Sequence, residues 1–171
     1  DDMIIYRKSD GYFMVVNAAN IQKDFEWLNK YLVENVFLED VSEEYSLIAI
    51  QGPMSRDILS AFTTVNLKMP FYTFEEGLVC DHQVMVSRTG YTGELGFEIY
   101  GNAYAIVEIW NALVKAGAKP AGLAARDMLR LEMKYCLYGN DIDKTTNPLE
   151  AGLGWVIALA KEEFIGKKSL F

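Results

Sequence analysis

The sequence is short of the residues that several chemistries require. It holds one histidine, His82, and two cysteines, Cys80 and Cys136. One histidine cannot furnish a His-rich zinc site and the two thiols lack metal-ligand spacing, so no metal is expected. The thiols read as reduced, which fits a compartment of cytosolic type. A Ser-His-Asp triad would have to use His82, and no nucleophile-elbow sequence accompanies it. His82 instead sits in the polar stretch Asp81-His82-Gln83, which reads as a solvated turn. No apolar run approaches the roughly 18 residues of a membrane span, so no membrane partner is expected. Positive charge is also scarce: the formal net charge is -8, which argues against a nucleic-acid partner. A small anion gripped by a local pair of arginines is not excluded by that balance.

What is present is apolar. Hydrophobic residues are 51% of the 171, enough for one good core or two small cores sharing a boundary. Met3–Arg7 and Tyr12–Asn17 are β-rich, with hairpin turn chemistry at Ser9-Asp10-Gly11 between them. Asn20 reads as the N-cap of a helix with Ile21, Phe25, Leu28 and Leu32 on one face. Val36–Val41 and Leu47–Ile50 read as strands. Gln51-Gly52-Pro53 turns into a helix buried through Met54, Ile58, Ala61 and Phe62. Leu78–Cys80 and Val84–Val86 form a second hairpin, and Phe97–Tyr100 a further strand. A helix from near Asn102 buries Ile106, Ile109, Trp110 and Leu113 and stops at Gly117. Another, from Leu123 to about Lys134, carries the apolar stripe Ala124, Met128, Leu131 and Tyr135, and Trp155–Leu159 is a last strand. Hairpins dominate, so the expected class is α+β, with mainly antiparallel sheets and flanking helices. The start at Asp1-Asp2, with no initiator methionine ahead of a strand, points to a piece of a longer protein.

The stretch Ser87–Tyr100, SRTGYTGELGFEIY, is the most suggestive. Gly90, Gly93 and Gly96 recur every third residue, with Tyr91, Phe97 and Tyr100 among them. Glycines let a backbone approach a ligand, aromatics offer flat faces, and the Glu98 carboxylate can accept two parallel N–H bonds. One reading is a loop around a planar, nitrogen-rich heterocycle; the other is a hairpin whose glycines only serve the turn. In a strand, Gly96, Glu98 and Tyr100 share one face. Glu98 is then either a bidentate acceptor or a glutamate on a solvated face. Arg126 and Arg130 are a turn apart on one helix. They either grip a carboxylate or are offset by Asp127 and Glu132. Asp1 and Asp2, at a strand entrance, are expected to point to opposite faces, or to fray. The glycine loop lacks both a Walker ending and a dinucleotide fingerprint opening a helix.

Several segments together resemble one family. SRTGYTGELGFEIY, LIAIQGP, PAGLAARDMLRLEM and LYGNDIDKTTNPLEAGLGWVI, with the opening DDMIIY and VVNAAN, are similar to the aminomethyltransferase (T-protein) family of the glycine cleavage system. The resemblance covers essentially the whole chain. It implies transfer of a one-carbon unit from the aminomethylated lipoyl arm of the H-protein to tetrahydrofolate, with release of ammonia. Tetrahydrofolate is then a cosubstrate, and lipoylated H-protein the macromolecular partner. By the resemblance, Asp2 is the catalytic carboxylate. It orients the folate amine and stabilises positive charge at the one-carbon unit. Glu98 reads the pterin edge, Asn17 is a polar contact to the same ring system, and Tyr72 is an aromatic wall. Tyr91 lies in the binding loop, and Arg126 lies near the folate and its carboxylates. Arg130 has no counterpart role.

The family carries a segment before the Asp-Asp motif and a barrel domain after Phe171, so the fragment is expected to be inactive alone. Residues 1–171 are expected to form two intertwined α+β subdomains, about 1–41 with 70–138 and 42–69 with 139–171. A bacterial cytoplasm is the expected location, or a mitochondrial matrix for a eukaryotic source. Alternatives are a non-catalytic folate-binding module or paralogue, or the folate domain of a dimethylglycine or sarcosine dehydrogenase-like enzyme. Paralogues of iron–sulfur maintenance carry a cysteine and a glutamine where this chain has Gly90 and Glu94, which speaks against them.

Overall fold

The computed structural model describes residues 1–170. Local turn chemistry sets its first element. Strands β1 (Ile4–Arg7) and β2 (Tyr12–Val15) pair antiparallel, Ile4 against Val15 and Arg7 against Tyr12. The turn between them closes with Lys8 N–H donating to the Gly11 carbonyl at 2.9 Å. Helix α1 (Ile21–Lys30) is entered through a 3₁₀ turn at Ala18–Asn20, so the residue flanking the helical stretch is Asn17 rather than Asn20. Its side chain makes no capping bond and is committed elsewhere.

The second sheet holds β3 (Ser46–Gln51), β4 (Phe74–Val79), β5 (His82–Ser87) and β6 (Gly96–Gly101), in the order β3-β6-β5-β4, with every neighbour antiparallel. The β4–β5 turn lies at Cys80 and Asp81, both at positive φ (50° and 64°), as a two-residue type I′ hairpin demands. His82 is therefore the first residue of β5 and not part of a solvated turn; its ring meets Tyr104 edge-on at 5.6 Å.

Helices α2 (Ser55–Ser60) and α3 (Ala103–Lys115) cover one face of this sheet. Leu59, Ile106, Ile109 and Leu113 pack with Ile50, Val79, Val84, Val86, Phe97 and Ile99 in one buried cluster. Each such side chain contributes about 1.5–3 kcal/mol on burial. Helix α3 begins as expected at Asn102, whose side chain accepts from Ala105 N–H at 2.9 Å. It ends at Gly117, which has φ +106°. Gly117 N–H donates to Val114 O and Ala118 N–H to Leu113 O, a Schellman stop. The class is α+β, with antiparallel sheets and helices on a sheet face.

Further expectations change. Val36–Val41 forms no strand; among the described residues Val36 N–H and Val41 O bond only to neighbouring turns, and Phe37 is 95% exposed. Trp155–Leu159 is no strand either, and Gly154–Val156 is a 3₁₀ turn. Met54 precedes α2 and is exposed, while Ser55 and Leu59 face inward. Trp110 of α3 is partly exposed, unlike Ile106, Ile109 and Leu113. On α4 (Leu123–Glu132) the apolar stripe through Met128 and Leu131 is exposed, and the buried residue is Arg130.

By contacts the chain divides into two compact units, Asp1–Trp27 with Cys136–Phe171, and Leu28–Tyr135. This differs from the subdomains set out above. Strand β3, in the segment that was to join 139–171, pairs along its whole length with β6 and so belongs with 70–135.

Candidate functional site

Alternation along β6 decides which side chains are available for chemistry. Phe97 and Ile99 point into the core under α2 and α3, so Gly96, Glu98 and Tyr100 lie on the opposite face. β6 is an inner strand, and Glu98 stands opposite Ser87 of β5 and Ala49 of β3. A half-buried carboxylate in this setting needs donors. The Thr89 hydroxyl donates to Glu98 Oε2, and the Tyr100 hydroxyl lies 3.5 Å from the same oxygen. Oε1 has no hydrogen bond among the described residues. Ser87 and Thr89 are buried, with their hydroxyls 2.9 Å apart. Glu98 is thus half-buried and oriented through one of its two oxygens.

The glycines of this stretch do not serve as expected. The space beside Gly90 and Gly96 is filled by the carboxamide of Gln51, and a Cβ at either position would collide with it. Gln51 Nε2 donates to the Thr89 and Phe97 carbonyls at 3.3 and 3.2 Å, and its Oε1 accepts from Thr92 Oγ1 at 3.4 Å. Two of the three glycines therefore make room for the protein's own side chain, not for a ligand. Gly93 has φ +75° and faces the Met133 side chain. The loop is held down at further points. Arg88 Nη1 donates to Gly96 O at 3.0 Å, while Gly52 N–H and Ser55 Oγ both donate to Leu95 O.

Arg126, Tyr91 and Tyr72 gather around a residue the sequence did not single out for the site. Arg126 is exposed, with its guanidinium carbon 4.5 Å from the centre of the Tyr91 ring, a cation–π contact. Tyr91 stacks on Tyr135 at 5.7 Å and 19°. Burial, and then the Tyr135 hydroxyl, push the Tyr72 phenol up from its ordinary pKa. The helical spacing places Tyr135 in an apolar stripe and gives no hint of Tyr91, forty-four residues earlier. Tyr72 adopts φ +61°, strained for a non-glycine residue, with its N–H donating to Arg88 O at 3.1 Å. Arg130 does not share the exposed face of Arg126. It is 3% exposed, its Nε donates to Asp127 Oδ1 at 2.7 Å, and its Nη1 donates to the Tyr135 carbonyl at 3.0 Å. Arg130 thereby fixes the chain that carries Tyr135.

Asp1, Asp2 and Asn17 form a separate cluster in the other unit. Asn17 Nδ2 donates to Asp1 Oδ1 at 2.7 Å and to Asp2 Oδ1 at 3.0 Å. The two carboxylates converge on one amide instead of pointing apart. Strand alternation does not apply to them, because β1 starts only at Ile4. Asn17 spends its donors on the pair and keeps its Oδ1 as a free acceptor among the described residues. No group of three or more His, Cys, Asp or Glu side chains among the described residues is arranged to hold a metal ion.

Comparison with known proteins places the chain in a family. The family described as "GCVT N-terminal domain" matches residues 1–161. The chain is similar to the aminomethyltransferase of Halothermothrix orenii, at 50% identity over 99% of this chain and 49% of that protein. It is similar to the solved glycine cleavage system aminomethyltransferase T from Bartonella henselae, with TM-score 0.84 and 35% identity, covering 99% of this chain and 47% of that one. A heterotetrameric sarcosine oxidase from Corynebacterium shares the fold alone, at 16% identity and TM-score 0.53 over 70% of this chain and 64% of that one. The chain spans about half the length of the curated relatives it matches.

Proposed function

The chain belongs to the GCVT N-terminal domain family, and from that premise we propose that it carries the folate-handling residues of a glycine cleavage aminomethyltransferase. The whole protein would take the one-carbon unit from aminomethylated, lipoylated H-protein and pass it to tetrahydrofolate, releasing ammonia. One observation supports the reading: the likeness to aminomethyltransferases runs over 99% of the chain at 50% identity, and the family match extends over residues 1–161.

Each role is proposed from the chemistry of the group. Glu98 presents a carboxylate oxygen with no hydrogen bond among the described residues, suited to the N–H edge of a pterin ring. Tyr72 and Tyr91 offer ring faces, and the exposed Arg126 guanidinium suits the carboxylates of the folate tail. Asn17 offers its free Oδ1 to the ring system while its amide nitrogen holds Asp2. Asp2 is the catalytic carboxylate. A negative charge fixed in place stabilises cationic character at the one-carbon unit without reorganisation.

The test uses the complete protein with aminomethylated H-protein. Ammonia release that requires both H-protein and tetrahydrofolate is the expected result. Tetrahydrofolate binding without turnover would make the protein a folate-binding module, and absence of binding would overturn the reading.

A further inference from the structure

Glu98 is the side chain proposed to read the ring, yet nothing in that role explains the buried hydroxyls around it. Ser87 and Thr89 are fully buried and polar. Such groups persist in an interior only where they make hydrogen bonds. A threonine hydroxyl has a single hydrogen, and Thr89 gives it to Glu98 Oε2. The Ser87 hydroxyl lies 2.9 Å from the same Thr89 oxygen, so two buried hydroxyls stand together behind the carboxylate. Tyr100 approaches the same oxygen. Among the described residues both hydroxyls that reach Glu98 thus meet Oε2, which leaves Oε1 as the oxygen available to a ligand.

Thr89 is itself held from the neighbouring strand. Its carbonyl accepts from Gln51 Nε2, which also binds the Phe97 carbonyl next to Glu98. Gln51 therefore ties the residue that orients the carboxylate to the strand that carries it. The glycines at 90 and 96 are the vacancies that admit this clasp.

We propose that Thr89, held by Gln51, is a positioning residue that fixes the Glu98 carboxylate so that Oε1 meets the 2-amino edge of a 2-amino-4-oxo-pteridine, and that it thereby sets selectivity for that amino group. The inference rests on the folate reading above. A freely rotating glutamate could satisfy itself on its neighbours; one pinned through Oε2 cannot turn Oε1 away.

The experiment measures dissociation constants by calorimetry on the complete protein, with tetrahydrofolate and with an analogue whose 2-amino group is replaced by methyl. The variants are Thr89→Val, Thr89→Ser, Glu98→Gln and the Thr89→Val/Glu98→Gln pair, with Gln51→Leu as an independent way of loosening Thr89. Thr89→Val should weaken tetrahydrofolate roughly tenfold while hardly changing the analogue. Thr89→Ser keeps the hydroxyl and should restore most of the affinity. In the Glu98→Gln background Thr89→Val should have little further effect, since the two act as one unit. Gln51→Leu should reduce the preference for tetrahydrofolate in the same direction. Equal weakening of both ligands by Thr89→Val, or additive effects in the pair, would overturn the proposal. Failure of the unaltered protein to bind tetrahydrofolate overturns the functional reading and this proposal together. Lost coupling with that binding intact overturns this proposal alone.

Discussion

Glu98 and Asp2 are the two carboxylates proposed to act on the substrate, and the protein holds them in opposite ways. Glu98 sits on an inner strand, flanked by partners on both sides, and receives a hydroxyl from a buried threonine. Asp2 lies outside any strand and is exposed, and an amide it shares with Asp1 tethers it. A carboxylate built into a sheet is suited to recognition, because its geometry survives an encounter with ligand. One on a short tether near water is easily displaced, so its contribution depends on the tether and should appear in rate more than in affinity. Changes at the two sites should therefore separate kinetically.

The largest effect belongs to Asp2. In the complete protein, Asp2→Asn should lower ammonia release by roughly a hundredfold or more, as losing a preorganised group at developing charge does. Tetrahydrofolate affinity should stay near its original value. A full rate in this variant would remove Asp2 from the chemistry, and a large loss of affinity would erase its contrast with Glu98.

Next comes the brace on the Glu98 side. Gly96→Ala drives a methyl group into the Gln51 carboxamide. The clasp must then shift and lose its bonds to Thr89 and Phe97. The expected cost is about 1–3 kcal/mol in urea unfolding. Made after Gln51→Ala, the same substitution should cost much less, because the obstacle has gone. Additive losses would show that the glycine serves something other than Gln51.

The contrast between the two sites is also a contrast in what sequence can disclose. Features set by neighbours along the chain were legible: the Ser9–Gly11 hairpin, the alternation that exposes Glu98, and the caps at Asn102 and Gly117. Features that depend on distant segments were not. The glycine triplet looked like a ligand cradle because Gln51 approaches from another strand, about forty residues upstream. Tyr135 looked like core because its partner Tyr91 lies on a loop. Val36–Val41 has strand-like residues, but a strand exists only through a pairing partner, and none among the described residues meets it. Arg130 was indistinguishable from Arg126 until Asp127 and the Tyr135 carbonyl claimed it. The convergence of Asp1 and Asp2 required knowing that Asn17 folds back beside them.

A smaller effect belongs to Asn17, which serves both the tether and the proposed ring contact. Asn17→Ala removes the amide that gathers Asp1 and Asp2 but leaves both carboxylates in the chain. Ammonia release should fall by about tenfold, the scale of a modest loss of orientation. The urea midpoint should hardly move, because these bonds are exposed. A drop in stability matching the drop in rate would mean that Asn17 acts through folding and not through Asp2.

The smallest effect lies where α4 hands the chain to Tyr135. Lys134 has φ +59° in a Schellman stop, with Tyr135 N–H donating to Arg130 O and Lys134 N–H to Leu131 O. A left-handed lysine costs about 1–2 kcal/mol relative to a relaxed backbone. Glycine removes that strain but loses about 0.5–1 kcal/mol through the greater freedom of the unfolded chain. Lys134→Gly should therefore stabilise the protein slightly, by about 0.5 kcal/mol, seen as a small rise in the urea midpoint at unchanged slope. Tetrahydrofolate affinity should not change. The stack of Tyr135 on Tyr91 is fixed by Arg130, whose guanidinium binds the Tyr135 carbonyl, and that contact survives the substitution. A weakened affinity alongside unchanged stability would instead mean that the strained turn, and not the buried arginine, aims the aromatic rings.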